Sequence, residues 1–320
     1  MGSFFSTSKN TSVEYRDYPP GCVPCPQGYK PGNPGIFTEF HKNFDTLEPR
    51  NFDGARIIAK KTLSKHFNVT HSLVMTSLEN QRGYKFGASY IGPKKVGPRE
   101  RYPILEGDIR PNGDVTAKFV HTLGCRYRIK VSTKIQNNKY RDLTTTLEYR
   151  SDDFTLSTSL VNPSVLKQEG IFILQFLQAI SSRMTLGAEI ACQKSSKLPS
   201  GKETNVACAF RYSTGFRTFS STVGHAGIRV CYHHRQSRNL QMGVEFSTNY
   251  HLHHSKARIL FQLDAPTADM MVKGFVDTDC RVGAVFEKRL YPIPEASLIL
   301  SGILDHSKQN ISVGIGLNIA

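Results

Sequence analysis

Three stretches carry residue types that could do chemistry. Cys22 and Cys25 form a C-x-x-C within PPGCVPCPQGYKPGNPG, His233, His234, His251, His253 and His254 could offer imidazole ligands, and Gly314 and Gly316 make a G-x-G. Each fails on its surroundings. A zinc site needs four ligands, and no second cysteine pair has matching spacing. A thioredoxin-type pair follows a strand and opens a helix, which the proline density around Cys22 forbids. If the histidines lie on strands, neighbours point to opposite faces; only His251 and His253 then share a side, without a third ligand. A dinucleotide-binding turn requires a further small residue where this chain has Ile319. The segment ISVGIGLNIA instead alternates strictly: Ile311, Val313, Ile315, Leu317 and Ile319 oppose Ser312, Gly314, Gly316 and Asn318. That period is a strand with two different faces. No Ser/His/Asp or paired-carboxylate signature is present, so the sequence predicts no enzyme, no metal site and no cofactor.

What must position any functional residue is therefore the strand pattern. The chain has 320 residues, with 41 Lys+Arg against 26 Asp+Glu, a formal charge of +15. That balance suits anionic partners. No run approaches 18 apolar residues, which excludes helical membrane spans. The N-terminus lacks the layout of a secretory signal, while Gly2 and Ser6 fit a myristoylation pattern. Seven scattered cysteines do not form a disulfide framework. The Asn-x-Ser/Thr triplets at Asn10, Asn68 and Asn310 matter only on a secretory route.

Residues 1–32 are rich in Pro, Gly and Ser and read as a disordered tail. Over 33–48, Asn33 can cap a helix and Pro34 can occupy its first position. Ile36, Phe37, Phe40, Phe44 and Leu47 then recur at helical spacing, predicting a short amphipathic helix. From 50 to 320 the period is two. Tyr127, Ile129 and Val131 alternate with Arg128, Lys130 and Ser132; Leu240, Met242, Val244 and Phe246 oppose Gln241, Gly243, Glu245 and Ser247. About nineteen such segments recur, one every fourteen residues or so, matching the ~9–11 residues per spanning strand plus turns. So long an all-β chain removes its edges by closing into a barrel. The alternation fits either a soluble sandwich or a lipid-facing barrel with a polar lumen; strand number and the charged face favour the second.

Several stretches together resemble a known family: NPG before the helix, FDGARIIAKKTLSKHFNVTHS, EYRSDDFT, NPSVL, HAGIRVCYHH, LQMGVEF, FQLDAPTADMMVKG and VGAVFEK. The chain is similar over about 33–320 to the channel-forming subunits of the mitochondrial outer-membrane protein translocase, within the eukaryotic porin superfamily. The resemblance implies a nineteen-stranded transmembrane barrel, closed by a parallel pairing of first and last strands, with a short helix lodged in the pore. It implies import of nuclear-encoded precursors. Its expected partners are presequences, receptor subunits, a single-helix organiser, small stabilising subunits and membrane lipid, with no nucleic acid. It also gives the last strand a targeting role, with Ser312, Gly314, Leu317 and Ile319 at the polar, glycine and two hydrophobic positions. Strand addition by an insertion machine is the physical basis for such a signal.

Strand parity places Glu148, Glu189, Glu245, Asp264 and Glu287 inward as acids for basic presequences. It places Lys118, Arg128, Lys130, Arg211, Arg258, Lys273 and Arg281 inward as bases, with Lys60, Lys85, Lys134 and Arg229 beside them. Outward charges would cost about 2–4 kcal/mol each at mid-bilayer. The resulting lumen reads as net basic, unlike the acidic patches the family tends to present, and Arg110 stands where the family often has an acid. Residues 171–180 (IFILQFLQAI) are apolar on both faces, so one side is expected to pack on Phe37, Phe40 or Phe44. Two other functions remain at this stage: an anion and metabolite pore of the same fold, and a soluble basic β-domain that binds nucleic acid.

Overall fold

The computed structural model describes residues 32–319 except 78–81, 97–99, 125, 137–138, 165–168, 197–200 and 292–294. The expected tail, with Gly2, Asn10, Cys22 and Cys25, falls outside the described residues apart from Gly32. Nineteen strands follow in chain order. They are β1 Gly54–Thr62, β2 Phe67–Met75, β3 Gly83–Lys95, β4 Arg101–Ile109, β5 Val115–Leu123, β6 Tyr127–Gln136 and β7 Lys139–Arg150. Next come β8 Phe154–Ser164, β9 Glu169–Ala179, β10 Met184–Lys194, β11 Lys202–Ser213, β12 Arg217–Gly224 and β13 Gly227–Arg235. The ring ends with β14 Leu240–Asn249, β15 His254–Ala265, β16 Met270–Asp277, β17 Arg281–Arg289, β18 Ala296–Asp305 and β19 Asn310–Ile319.

Each strand pairs antiparallel with the next, and β1 pairs with β19 to close a single nineteen-stranded sheet. The parity of that number dictates the seam. In an up-and-down ring the first and last of an odd number of strands run the same way, so they can close only in parallel. They do so over six pairs, from Gly54↔Gly314 to Ala59↔Ile319. Odd-numbered strands thus all start at one rim, the starting rim, and end at the opposite rim.

A sheet of this size encloses more space than its own side chains fill; barrels of about 16–18 strands already leave an aqueous channel. One face of the strands carries the exposed large apolar residues, among them Ile57, Val244, Ile259, Val313 and Ile315. The alternate face carries the charges and touches residues 33–52, a strap that reaches side chains from β8 round to β18. A segment that meets so much of the ring on one face lies inside it, which fixes the charged face as the inner wall.

The strap differs from the expected single helix over 33–48. It contains a 3-10 turn at Phe37–Glu39 and one α-helical turn, α1, at Lys42–Asp45. Asn33 caps nothing at the start of either: its side chain accepts from the Gly35 N–H and reaches across to the wall. Gly35 is left-handed (φ 88°) and Ile36 is extended, which ends any helix that would begin at Pro34. Tertiary anchoring, not helix propensity, sets the strap's path.

Between strap and β1, Asp53 accepts hydrogen bonds from Ser77 and Thr76, which hold its carboxyl down to about 2. A depressed carboxylate stabilises above its ordinary range and loses that contribution only as the pH falls toward 2. This joint therefore adds no pH dependence near neutrality.

Candidate functional site: the inner wall and its strap

The strap enters at the opposite rim and leaves at the starting rim. Asn33 Nδ2 donates to the Ser151 carbonyl at 2.6 Å and to Thr155 Oγ1 at 3.1 Å. Arg211 Nη2 donates to the Pro34 carbonyl at 2.6 Å, and its guanidinium lies 5.1 Å from the Phe40 ring centroid. His41 sits 2.8 Å from both the Ser220 and Thr222 hydroxyls of β12. Lys273 Nζ donates to the Thr46 carbonyl at 2.5 Å, and Phe52 N to Ser301 Oγ at 3.0 Å.

Apolar contacts hold the strap between these polar ones. Phe40 packs on Leu177 and Ala209, with Phe37 against the same cluster. The inner face of β9 therefore meets the strap, while its outer Phe172 and Phe176 remain exposed; the apolar run is covered on one side only. Phe44 and Leu47 pack on Cys231 and Leu260, with Phe275 alongside. Gly243 makes that approach possible, since a Cβ there would stand 2.8 Å from the Phe44 ring. Replacing Phe44 by Ala removes a ring that is 2% exposed and is expected to cost about 3–5 kcal/mol. Faster proteolysis within 33–48, with the barrel still protected, would register that loss.

Ionic groups on the wall fall into clusters. Glu245, nearly fully buried, accepts from Arg229 Nε and Arg258 Nε, each at 2.6 Å. The same arginines reach the strap, Arg229 to Asp45 at 2.8 Å and Arg258 to Glu48 at 2.7 Å. Glu148 is 0% exposed and faces three cations: Lys130 at 2.5 Å, Arg150 at 3.4 Å and Arg128 at 3.9 Å. Glu100 shares Arg128 and Arg150, at 2.8 and 3.5 Å. Lys85 pairs with Asp108 at 2.8 Å and Lys118 with Glu106 at 3.1 Å. Asp277 binds Lys256 at 2.7 Å and Arg281 at 3.3 Å.

These pairs divide the five acids expected inward. Glu148 and Glu245 are on the wall but locked among cations, so they are not open to a basic ligand. The other three accept neutral hydrogen bonds: Glu189 from Gln175 at 2.5 Å, Asp264 from Gln262 at 3.0 Å, and Glu287 from Ser297 at 3.0 Å. Asp264 and Glu287 line one cavity of about 450 Å³ at the opposite rim, with Asp269, Met270 and Met271. Of the seven bases in the first rank, Lys118, Arg128, Lys130, Arg258 and Arg281 are in ion pairs. Arg211 and Lys273 spend their protons on strap carbonyls.

The inner face also carries acids that strand parity did not single out, along with the further bases Arg150 and Lys256. Glu106, Asp108 and Asp277 share the inner face, and Asp45 and Glu48 come from the strap. In RYPILEGDI, Tyr102 and Ile104 take inner positions beside Glu106 and Asp108, so no clean alternation marked those acids. Asp45 and Glu48 carried a usable signal, a spacing of three on one strap face.

The histidines are dispersed. His233 is on the inner face and His234 on the outer, while His251 and His253 lie in the turn before β15. Among the described residues no group of three or more His, Cys, Asp or Glu is placed to hold a metal. At the seam, Gly314 faces inward onto Phe52, and Leu317 and Ile319 stand on the alternate face, paired with Ile57 and Ala59 of β1.

The eukaryotic porin profile matches residues 33–316, the strap and nearly the whole barrel. The chain belongs to the eukaryotic porin family. Among curated relatives, it is 37% identical over 287 residues to the mitochondrial import receptor subunit TOM40 homolog 2 of Drosophila melanogaster, covering 90% of this chain and 84% of the relative. The TOM40 homolog of Caenorhabditis elegans is 36% identical over 90% of this chain and 94% of its own length. The human TOM40 homolog is 34% identical over 93% of this chain and 79% of its own. Within that family, this eukaryotic porin groups with the TOM40 homologues.

Proposed function

We infer that this chain forms a protein-conducting channel in the mitochondrial outer membrane, through which precursor proteins pass unfolded. The observation that carries the reading is sequence identity of 34–37% to import receptor subunits along nearly the whole barrel. The exposed apolar outer face suits lipid, and a polar inner wall suits an extended chain. No step needs a nucleophile or a cofactor; the protein is a channel, not an enzyme. Its partners in this reading are presequences, receptor subunits, a single-helix organiser on the outer wall and small stabilising subunits.

Presequences are basic and amphipathic, so they need acids that are not already paired and apolar side chains beside them. Asp264 and Glu287, with Met270 and Met271, supply both at the opposite rim. Glu189 is a further unpaired acid on the inner face of β10. Weak contacts suffice, because a tightly held chain would not move on. The targeting role of Ser312, Gly314, Leu317 and Ile319 belongs to the same proposal.

The soluble nucleic-acid reading finds no support here. Such a protein interleaves aromatics and bases on one exposed surface. Along most strands this wall separates them, with Arg128, Arg229 and Arg258 inward and Ile57, Val244 and Ile259 outward; the exception is one cluster at the opposite rim around Phe216 and Arg217.

The test is precursor import into mitochondria depleted of their endogenous channel and supplied with this chain. Import should recover. The variant Asp264→Asn/Glu287→Gln should insert normally yet be blocked several-fold less by presequence peptide in reconstituted channels. Proper insertion without import, together with strong anion preference, would transfer the chain to the anion-pore reading.

A further inference from the structure

On the outer face at the opposite rim, the turn joining β11 to β12 and the end of β13 border a cavity of about 740 Å³. Its walls are aromatic: Tyr212, Phe219 and Tyr232 project from three adjacent strands, and Phe216 at the turn is 69% exposed. Gly215 gives the turn its left-handed residue (φ 85°), which lets Phe216 and Arg217 follow directly into β12. Arg217 and Arg235 line the same cavity, both exposed. His234 pairs across the strands with Arg217, its ring stacked with Tyr232 at 6.4 Å.

No carboxylate lines this cavity, and among the described residues neither arginine has an acidic partner. Three other cavities on the molecule differ in this respect. Each contains acid beside its bases: Glu39 at the strap entrance, Glu106 and Asp108 on the wall, Asp264 and Glu287 at the rim. Here, two arginines without an acidic partner border four aromatic side chains: Arg217 on the outer face, and Arg235 at the last position of β13, in register with Gln241 and so reaching the cavity from the rim. Aromatic side chains on a barrel's outer rim mark the depth of lipid headgroups. A guanidinium at that depth is matched by a phosphate, which it can bind through two parallel hydrogen bonds.

We propose that this cavity seats the headgroup of an anionic phospholipid, with Arg217 and Arg235 on its phosphate and the aromatic walls against its glycerol and upper acyl chains. The proposal rests on the reading that the barrel spans a membrane. A zwitterionic headgroup also offers a phosphate but brings its own cation into a site that already holds two. Each basic residue near an anionic headgroup contributes about 1 kcal/mol, so the preference should be at least about fivefold.

The chain contains no Trp, which makes Phe216→Trp a site-specific emitter. The full chain carrying it would be reconstituted with phosphatidylcholine or phosphatidylglycerol brominated in the acyl chains. Leu304→Trp, on the outer face of β18 at the other rim, serves as the reference position. Brominated phosphatidylglycerol should quench the emitter at position 216 with an association constant about five times that of phosphatidylcholine. The two lipids should quench the emitter at position 304 alike. Adding Arg217→Gln and Arg235→Gln should bring the ratio at position 216 to about one, while Arg217→Lys and Arg235→Lys keep part of it. Equal quenching by the two lipids at position 216, with quenching intact at 304, would overturn the headgroup site alone. So would a preference that survives both glutamines. Quenching at neither position by either lipid would overturn the membrane reading and this site with it.

Discussion

Gly314→Arg is expected to leave the ring open, giving a chain that is synthesised but extracted by carbonate and cleaved by protease. The seam leaves no room for a side chain at its paired glycines. Gly314 faces inward, and a Cβ built on it would stand 2.3 Å from the Phe52 carbonyl oxygen and 2.7 Å from the Phe52 ring. Its partner across the parallel pairing is Gly54, where φ is 75° and a Cβ would lie 2.0 Å from the Met75 carbonyl. Two glycines opposite each other thus let the end of the strap turn into β1 against β19. The obstruction at both positions is backbone, which cannot swing away as a side chain can. Overpacking commonly costs about 1–3 kcal/mol; at Gly54, but not at Gly314, a side chain would also be forced into the left-handed region for about 1–3 kcal/mol more.

A second substitution separates closure from simple crowding. Phe52→Ala removes the ring but not the carbonyl, so Gly314→Ala should remain defective in that background. Recovery in the double variant would show that the ring alone was the obstacle. Leu317→Asp attacks the same seam from the other face, since Leu317 lies between Ile57 of β1 and Leu298 of β18. A charge there faces lipid in the proposed membrane setting and should also prevent stable insertion. Carbonate-resistant, protease-protected assembly of Gly314→Arg and Leu317→Asp would remove the seam as the limiting element.

How far such features could be read beforehand depended on the range of the interactions involved. Strand number and facing follow from a period of two and a regular turn spacing, both local; Tyr127, Ile129 and Val131 announce their face without help from the rest of the fold. The strap was harder. Phe37, Phe40, Phe44 and Leu47 do recur at helical spacing, yet they are placed by contacts more than a hundred residues away, with Leu177, Ala209, Cys231 and Leu260. Those contacts leave only short helical turns. The acids were harder still, because parity gives a face but not a partner. Nothing in LTTTLEYR distinguishes Glu148, enclosed by three cations, from the unpaired Glu189 in LGAEIAC.

That difference makes Glu148→Ala the second variant with a large expected effect. The carboxylate is completely buried, and Arg128 beside it has a side chain only 10% exposed. Removing the acid leaves Arg128, Lys130 and Arg150 crowded together, with Glu100 as the remaining partner of Arg128 and Arg150. Breaking a buried ionic group from one side typically costs about 3–5 kcal/mol, because the partner charges stay desolvated. The denaturation midpoint of the reconstituted barrel should therefore fall substantially. Conduction should shift toward anions, since the wall loses a negative charge and frees positive ones. Block by presequence peptide should change little, because this acid never faced the passing chain. Asp264→Asn/Glu287→Gln should show the reverse, with stability nearly unchanged and weaker block. A Glu148→Ala channel of normal stability that no longer responds to presequence peptide would mean that the buried acid, rather than the rim pair, meets the substrate.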